Sequence, residues 1–213
     1  DGRPHTKVVL PGHVQLLERG APQLPYITTS LVIPGQGTPT VRVLETSYRE
    51  IPVDPIVPGR GAILRTVDPS TVPYTFGPAY QGGVFPAEPV RVGEPYIVRD
   101  LRGVNVRLFP ARWDADRGVL RVLERVTYEV TTRGQGGVNV QTRRSTGIQP
   151  VFEPLYAEKF ANFARGLKYE INAAEGPMLV IADDGFAGAM QPFVDWKRQR
   201  GIPVELVTTS SVG

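Results

Sequence analysis

Proline decides most of what this chain can become. The sequence of 213 residues holds 21 prolines, and up to Pro110 they recur every few residues. Inside a helix each one removes a hydrogen bond and clashes with the preceding turn, at about 3 kcal/mol, so the first two thirds has little room for an uninterrupted helix. That stretch is expected to be β. Alternation at period two then locates strands. In "VLRVLERVTYEVTT", residues 119 to 132, Leu120, Val122, Val126, Tyr128 and Val130 share a face, broken only by Glu124. Similar runs are "VRVLETSY" from Val41 and "VNVRLF" from Val104. Between the last of these and residue 119, "PARWDADRG" reads as a polar connector ending in Gly118, like a hairpin with a bulged turn. Half-buried antiparallel strands with hairpin connections predict a mainly β fold, an antiparallel β-sandwich from about residue 6 to 142.

The pattern changes after Gln149. "FEPLYAEKFANFARGLKY" puts Tyr156, Phe160, Phe163, Ala164 and Leu167 at helical spacing with Pro154 in the first turn, which predicts a short amphipathic helix. "EINAAEGP" follows as a small, polar linker open to proteases. "MLVIADD" is continuously apolar, as a strand buried on both faces of a parallel sheet would be. Met190, Phe193, Val194 and Lys197 form a helical stripe that Gly201 ends, and "VELV" supplies the next strand. Pro192 places the start of regular helix near Gln191. One such βαβ unit cannot bury its own strands, so its sheet is expected to continue beyond these residues. The expected layout is a sandwich domain at 1–149, a connecting helix and linker at 150–177, and the N-terminal part of an α/β domain at 178–213.

Several function classes are disfavoured. Net charge is +3, from 24 basic and 21 acidic side chains, which gives no single-sign field, so no nucleic-acid partner is expected. Twenty of the basic residues are Arg and four Lys. Guanidinium favours planar, bidentate pairing with carboxylates and suits protein contacts, although genomic bias gives the same excess. With no cysteine there is no disulfide, thiol nucleophile or thiolate metal site. No run of eighteen apolar residues exists, so no membrane segment is expected in the chain. The opening "DGRPHTKVVLPG" lacks the layout of a secretion signal, so any such signal is expected to have been removed or to lie outside these residues.

Smaller motifs each carry two readings. His5 and His13 have no cysteine or serine motif beside them and read as surface residues near a terminus rather than catalytic ones. "DADRG" at 114 to 118 hints at a calcium loop but lacks the later ligands and bidentate glutamate, so a hairpin turn is the better reading and no metal site is assigned. Asp183 and Asp184 end the apolar strand, where α/β folds place ligands, or they cap the helix that follows. "GQGGVN" at 134 to 139 precedes no predicted helix and is not a phosphate loop. "TRRSTG" offers Arg143 and Arg144 in a loop, either a cleavage point for a trypsin-like enzyme or a solvated turn.

Four blocks carry a resemblance. "FVDWKRQRG" at 193 to 201 resembles the segment that opens the catalytic domain in the gingipain family of cysteine peptidases, family C25, whose clan has a caspase-like fold. "TVPYTFGPAY" at 71 to 80, "FPAEPVRVGEPYIVRDLRG" at 85 to 103 and "LRVLERVTYEV" at 120 to 130 resemble the propeptide of those enzymes, in the same order. The likeness runs from roughly Pro25 to Gly213. It implies an N-terminal β-sandwich prodomain that keeps a secreted or cell-surface endopeptidase latent and assists its folding, then the first βαβ elements of the caspase-like peptidase domain. The family's catalytic His and Cys lie beyond Gly213, so no catalytic residue is implied here and the chain alone should hydrolyse nothing. The implied partner is the cognate C25-type catalytic domain. No cofactor is implied for this fragment, and calcium is left open for the full enzyme.

Latency is most simply achieved by laying an extended segment over the cleft and filling its specificity pocket with one side chain. The candidate segment is "PGRGAILRTVDPSTVPYTFG", residues 58 to 77, whose Pro58, Pro69 and Pro73 bias the backbone toward extended forms. Arg65 occupies the position that resembles the family's inhibitory basic residue, which is presented to an acidic pocket. A solvated loop arginine is the alternative reading. Arg60, in a flexible turn between Gly59 and Gly61, is the runner-up. Arg99 and Arg102 also match the family, but they straddle Asp100 at a strand end, where an ion pair would fix the turn. Arginine-specific members cut after a basic residue at the end of the prodomain, whereas "KYEINAAEGPML" offers only Lys168 and, further back, Arg165. Processing is expected at one of those two residues, with Arg143 and Arg144 as loop candidates, unless the peptidase has another specificity or the prodomain stays attached. The competing class is a free-standing extracellular adhesion or carbohydrate-binding sandwich. Such a module needs no βαβ start after residue 177 and usually exposes aromatics on one face, whereas most aromatics here fall at buried periods.

Overall fold

The computed structural model describes residues 2–142, 148, 150–163 and 177–212. The chain divides into two compact units, Asp1–Arg144 with Ala157–Gly166, and Ser145–Tyr156 with Leu167–Gly213.

The first unit is built of antiparallel strands: β1 (Val14–Gln15), β2 (Pro25–Val32), β3 (Thr38–Pro52), β4 (Val84–Phe85), β5 (Val90–Val92), β6 (Tyr96–Val98), β7 (Leu101–Leu108), β8 (Ala111–Asp114) and β9 (Val119–Arg133). They form two sheets, one ordered β1-β2-β7-β5 with β6 also on β7, the other β3-β9-β8-β4. This is the mainly β, two-sheet arrangement that the proline spacing and alternation predict. The longest ladder joins β3 to β9, and it skips a residue between the pairs Ser47↔Arg125 and Tyr48↔Leu123. The skipped residue is Glu124, the one break in the apolar face of β9. A bulge leaves one residue unpaired, so an exposed glutamate is tolerated there at little cost.

One connection differs from expectation. "ARWD" is not connector but strand β8, with all four residues buried, and the turn to β9 is only residues 115–118. The chain passes from β7 to β8 through Phe109 and Pro110 and so changes sheet, with Phe109 only 1% exposed. Trp113 of β8 then joins Leu24, Ile56, Ala111 and Leu120 in a buried cluster. Aromatic bulk outweighs the flanking charges, because Arg112 and Asp114 point away from that cluster and find their own partners.

The helix expected after Gln149 is shorter than its spacing suggests. α1 spans Glu153–Lys159, and Phe160 leaves it to bridge Ser30 of β2. The Ala161 amide donates to the Ser30 carbonyl at 3.0 Å, and the Asn162 side chain bonds both the Val32 amide and the Val32 carbonyl, at 2.8 and 2.9 Å. Pairing with a strand edge therefore satisfies the backbone that another helical turn would have used. Ala164 and Leu167 lie outside the described residues.

In the second unit β10 (Met178–Ala182) and β11 (Val204–Thr208) pair in parallel across α2 (Ala187–Gln199), and α3 (Thr209–Val212) follows. The βαβ reading holds, with two corrections. β10 is not buried on both faces: Leu179 and Ile181 are 57% and 56% exposed, since residues on one face of this pair find no cover among the described residues. α2 starts at Ala187 rather than near Gln191, with Pro192 inside it. The carbonyl that Pro192 crowds belongs to Gly188, which has no side chain to add to the clash.

Candidate functional site

The segment proposed to face a peptidase emerges as a pinned loop on the first unit. Its two stems bond to one turn: the Gly59 amide donates to the Ala21 carbonyl at 2.8 Å, the Gly20 amide to the Gly59 carbonyl at 2.9 Å, and the Gly77 amide to the Gly20 carbonyl at 2.8 Å. Gly59 is required there, because a Cβ would lie 2.6 Å from the Glu18 carbonyl oxygen. Below the stems, Ile56 is fully buried and its carbonyl accepts from the Tyr80 hydroxyl at 2.7 Å. Burial pushes the Tyr80 phenol well above its ordinary pKa, so it remains a donor. Phe76 packs edge-on to Tyr80 at 5.0 Å, and Tyr80 lies 5.1 Å from Trp113. The returning arm of the loop is thereby hooked to the core.

Within this frame the two candidate arginines part ways. Arg60 turns inward: its Nη1 donates to the Pro69 carbonyl across the loop, and its guanidinium carbon sits 4.0 Å over the Tyr74 ring. The Gly59–Gly61 stretch is therefore not a free turn. Arg65 lies at the apex, in the turn closed by the Val67 amide donating to the Leu64 carbonyl at 3.0 Å, and it is exposed. Neighbouring Leu64 is 74% exposed. The stretch is less extended than its prolines suggest, since Pro69–Thr71 form a 3-10 turn capped by Asp68, whose Oδ1 accepts from the Ser70 amide at 2.8 Å. Those bonds from Ser70 hold the Asp68 carboxyl below its ordinary pKa. Beside the loop base an open groove of about 380 Å³ is lined by His5, Val57, Pro58, Tyr74 and Phe76.

Arg99 and Arg102 also separate. Arg99 pairs with Asp100 at 3.4 Å, in a turn where Arg99 has φ 51°. Arg102 is 1% exposed and donates to four backbone carbonyls instead: Nε to Asn139 at 2.8 Å, Nη1 to Pro34 at 2.9 Å, Nη2 to Gly37 at 3.0 Å and to Val138 at 2.7 Å. The glycine-rich run at 134 to 139 thus turns carbonyl oxygens onto a cation, the opposite of what a phosphate loop presents. The burial of Arg102 was legible in phase, since it shares the inward period of β7 with Val104 and Val106. Arg112 was a harder case, with Nε donating to the Pro86 carbonyl at 2.8 Å and Nη1 to the Tyr48 hydroxyl at 3.1 Å. The role of Arg60 had no local signal, because its partners lie nine and fourteen residues on.

The remaining candidates fall as follows. "DADRG" makes a hairpin turn in which Asp114 Oδ1 accepts from the Arg117 amide and Asp116 Oδ2 from the Gly83 amide. Asp183 caps the 3-10 turn before α2, with its Oδ1 accepting from the Gly185 amide at 2.9 Å, while Asp184 accepts from the Ser210 hydroxyl at 2.5 Å. His5 Nδ1 lies 2.9 Å from the Arg3 carbonyl oxygen and its ring 5.6 Å from Phe76; His13 is exposed. Among the described residues no group of three His, Asp or Glu side chains is placed to hold a metal, and no helix is long and apolar enough to cross a membrane. Arg143, Arg144, Arg165 and Lys168 lie outside the described residues.

Comparison with known proteins assigns the chain to a family. Gingipain R1 of Porphyromonas gingivalis is 31% identical over 201 residues, 93% of this chain and 20% of the relative. Lys-gingipain of the same organism is 24% identical over 212 residues, 96% of this chain and 12% of the relative. The chain thus spans about a fifth of the length of Gingipain R1. A solved structure, the complex of Porphyromonas gingivalis RgpB pro- and mature domains, is similar with a TM-score of 0.64 and 27% identity, over 72% of this chain and 77% of that one. The model of the family Propeptide_C25 matches residues 3–168, well over half of the length, and the chain belongs to that C25 propeptide family.

Proposed function

We propose that this chain is the latency prodomain of a gingipain-like cysteine endopeptidase, joined to the first elements of the peptidase domain, and that Arg65 fills the specificity pocket of that peptidase. The observation that carries the reading is the loop at residues 59–77: both stems are pinned to one turn, and a single arginine stands exposed at its apex. An arginine offered on a fixed loop loses little freedom on docking, and a desolvated guanidinium–carboxylate pair is strong enough to anchor it. Because prodomain and peptidase share one precursor, a millimolar effective concentration turns even a modest interface into a closed site. The pro- and mature domains of the similar solved structure form a complex, which supports the same pairing here.

The rest of the proposal follows from this pairing. Residues 1–149 act as the prodomain, 150–177 connect, and 178–213 begin a caspase-like peptidase domain that supplies the catalytic His and Cys elsewhere in the precursor. The product works outside the cell or at its surface. Release occurs at Arg165 or Lys168, with Arg143 and Arg144 as additional cut points, and any calcium requirement belongs to the full enzyme. Family membership disfavours the free-standing adhesion or carbohydrate-binding module.

The test is residual hydrolysis of casein by the separately produced mature peptidase of the same precursor, titrated with this chain. Inhibition is expected, and Arg65→Ala should weaken it at least about 30-fold, the lower bound for truncating one side of a buried charge pair. Arg99→Ala should change it less than threefold. Equal losses from the two would discard the role of Arg65.

A further inference from the structure

We infer that Arg60 is a positioning residue, an internal strut that fixes the 59–77 loop so that Arg65 is offered as an inhibitor rather than cut as a substrate. The inference rests on the latency reading above but concerns a residue that need not touch the peptidase. Three observations carry it. The Arg60 side chain reaches from the outgoing arm across the loop, with Nη1 on the Pro69 carbonyl and the guanidinium 4.0 Å over the Tyr74 ring, both on the returning arm. Its Nε is buried with no hydrogen-bond partner, so the root of the head group is covered by the loop while the Nη1 end remains exposed, and the residue as a whole is half-buried. The Pro69 carbonyl is itself held, because Asp68 caps Ser70 at 2.8 Å and the Thr71 hydroxyl donates to the Asp68 carbonyl at 2.7 Å.

Arg60 therefore ties the outgoing arm, on which it stands, to the returning arm below the Leu64–Val67 turn. Proteases bind substrates in an extended form that can distort along the reaction. A loop held by an internal cross-tie resists that distortion and re-forms after binding, which favours occupancy over hydrolysis. Without the tie, the Arg65–Thr66 peptide bond becomes an ordinary exposed site. Water then adds across it, leaving a carboxylate on Arg65 and an amine on Thr66.

Two readouts separate this inference from the one beneath it. The first needs no cognate enzyme: the chain is treated with trypsin and the rate of cutting after Arg65 is followed by mass spectrometry. Arg60→Ala should accelerate that cut about 10- to 100-fold, the combined worth of a cation–π contact and a charge-assisted hydrogen bond, while thermal unfolding stays within a few degrees. Arg60→Lys, which keeps a donor and a cation, should recover part of the protection. If Arg60→Ala unfolds the unit, Tyr74→Leu carries the test: it removes the ring face but keeps apolar cover, and should accelerate the cut about fivefold. The second readout is casein hydrolysis by the mature peptidase. Arg60→Ala should begin as an inhibitor and lose effect as the chain is cut at Arg65, whereas the parent chain persists. A trypsin rate within twofold of the parent for both variants overturns the strut. A parent chain that is slow to be cut by trypsin yet fails to inhibit the peptidase overturns the latency reading and leaves the strut standing.

Discussion

Gly103 and Phe160 form a steric pair whose energetics can be worked from the coordinates. Gly103 lies in β7, and a Cβ added there would fall 2.5 Å from Phe160 Cε1 and 3.0 Å from Tyr96 Cε2. Neither ring can step aside cheaply: Phe160 is 1% exposed and lies near-parallel to Tyr96, with centroids 6.3 Å apart. Gly103→Ala should therefore cost about 1–3 kcal/mol through overpacking. Phe160→Ala removes a fully buried ring and should cost about 3–5 kcal/mol. The double variant is the informative one, since the alanine methyl then occupies space the ring has left. It should cost no more than Phe160→Ala alone, so the two changes couple by about 1–3 kcal/mol against their sum. Urea unfolding followed by fluorescence reads this out, in a Trp196→Phe background so that buried Trp113 alone reports on the first unit. Additivity within about 0.5 kcal/mol would mean that Phe160 does not seat on Gly103. The segment leading out of the sandwich would then lack the anchor described for residues 160–162.

Two further predictions concern other parts of the same unit. Arg102→Met should lower stability by more than about 3 kcal/mol, because four carbonyls lose their donor inside the protein, and Arg102→Lys should recover less than half of that; a loss under about 1 kcal/mol in urea unfolding would refute the cage. The Asp68 carboxyl is held below its ordinary value of 3.8 by bonds from Ser70, so its contribution to loop order is complete above the unfolded pKa and disappears as pH falls through the lowered folded one. The Ser70 amide shift, followed by NMR against pH, should therefore titrate with a midpoint below 3.8, and a midpoint at or above that value would refute the cap.

How much of this was legible depended on range. Period-two alternation located β3, β7 and β9, because one face of each is decided by residues two apart. Even the interruption at Glu124 was visible, though its meaning as a bulge needed the partner strand. β8 escapes the pattern because "ARWD" is half charged and only four residues long; the burial of Trp113 is decided by Leu24 and Ile56, far away in sequence. α1 is shorter than its pattern for the same reason, since helical spacing continues through Leu167 but the strand edge at Ser30 captures the chain at Phe160. For the candidate site, resemblance pointed to Arg65, and the pinned stems appear only once Gly20 and Gly77 are brought together.

Arginine and proline meet at three points of this structure. A proline carries a carbonyl but no amide hydrogen, and it keeps its neighbourhood out of regular ladders, so a proline-rich chain accumulates backbone acceptors without donors. Guanidinium supplies five donors in a fixed fork and accepts nothing. Arg60, Arg102 and Arg112 each count a proline carbonyl among their acceptors, Pro69, Pro34 and Pro86, beside the Asn139, Gly37 and Val138 carbonyls for Arg102 and that of Ala87 for Arg112. The expectation that these side chains would seek carboxylates holds on the surface, where Arg117 grips both oxygens of Glu50, at 2.7 and 2.6 Å. In the interior, carbonyls are the commoner partner, because a buried carboxylate would bring a second desolvation penalty. Arg65 lies between Pro58 and Pro69, as Arg60 does; it is exposed and its side chain makes no hydrogen bond or ion pair among the described residues, as is also true of Arg19, Arg49, Arg125 and Arg133, and what distinguishes it is its place at the apex of the pinned loop. An exposed guanidinium at the apex of a loop pinned at both stems is the arrangement expected if its carboxylate partner belongs to another domain.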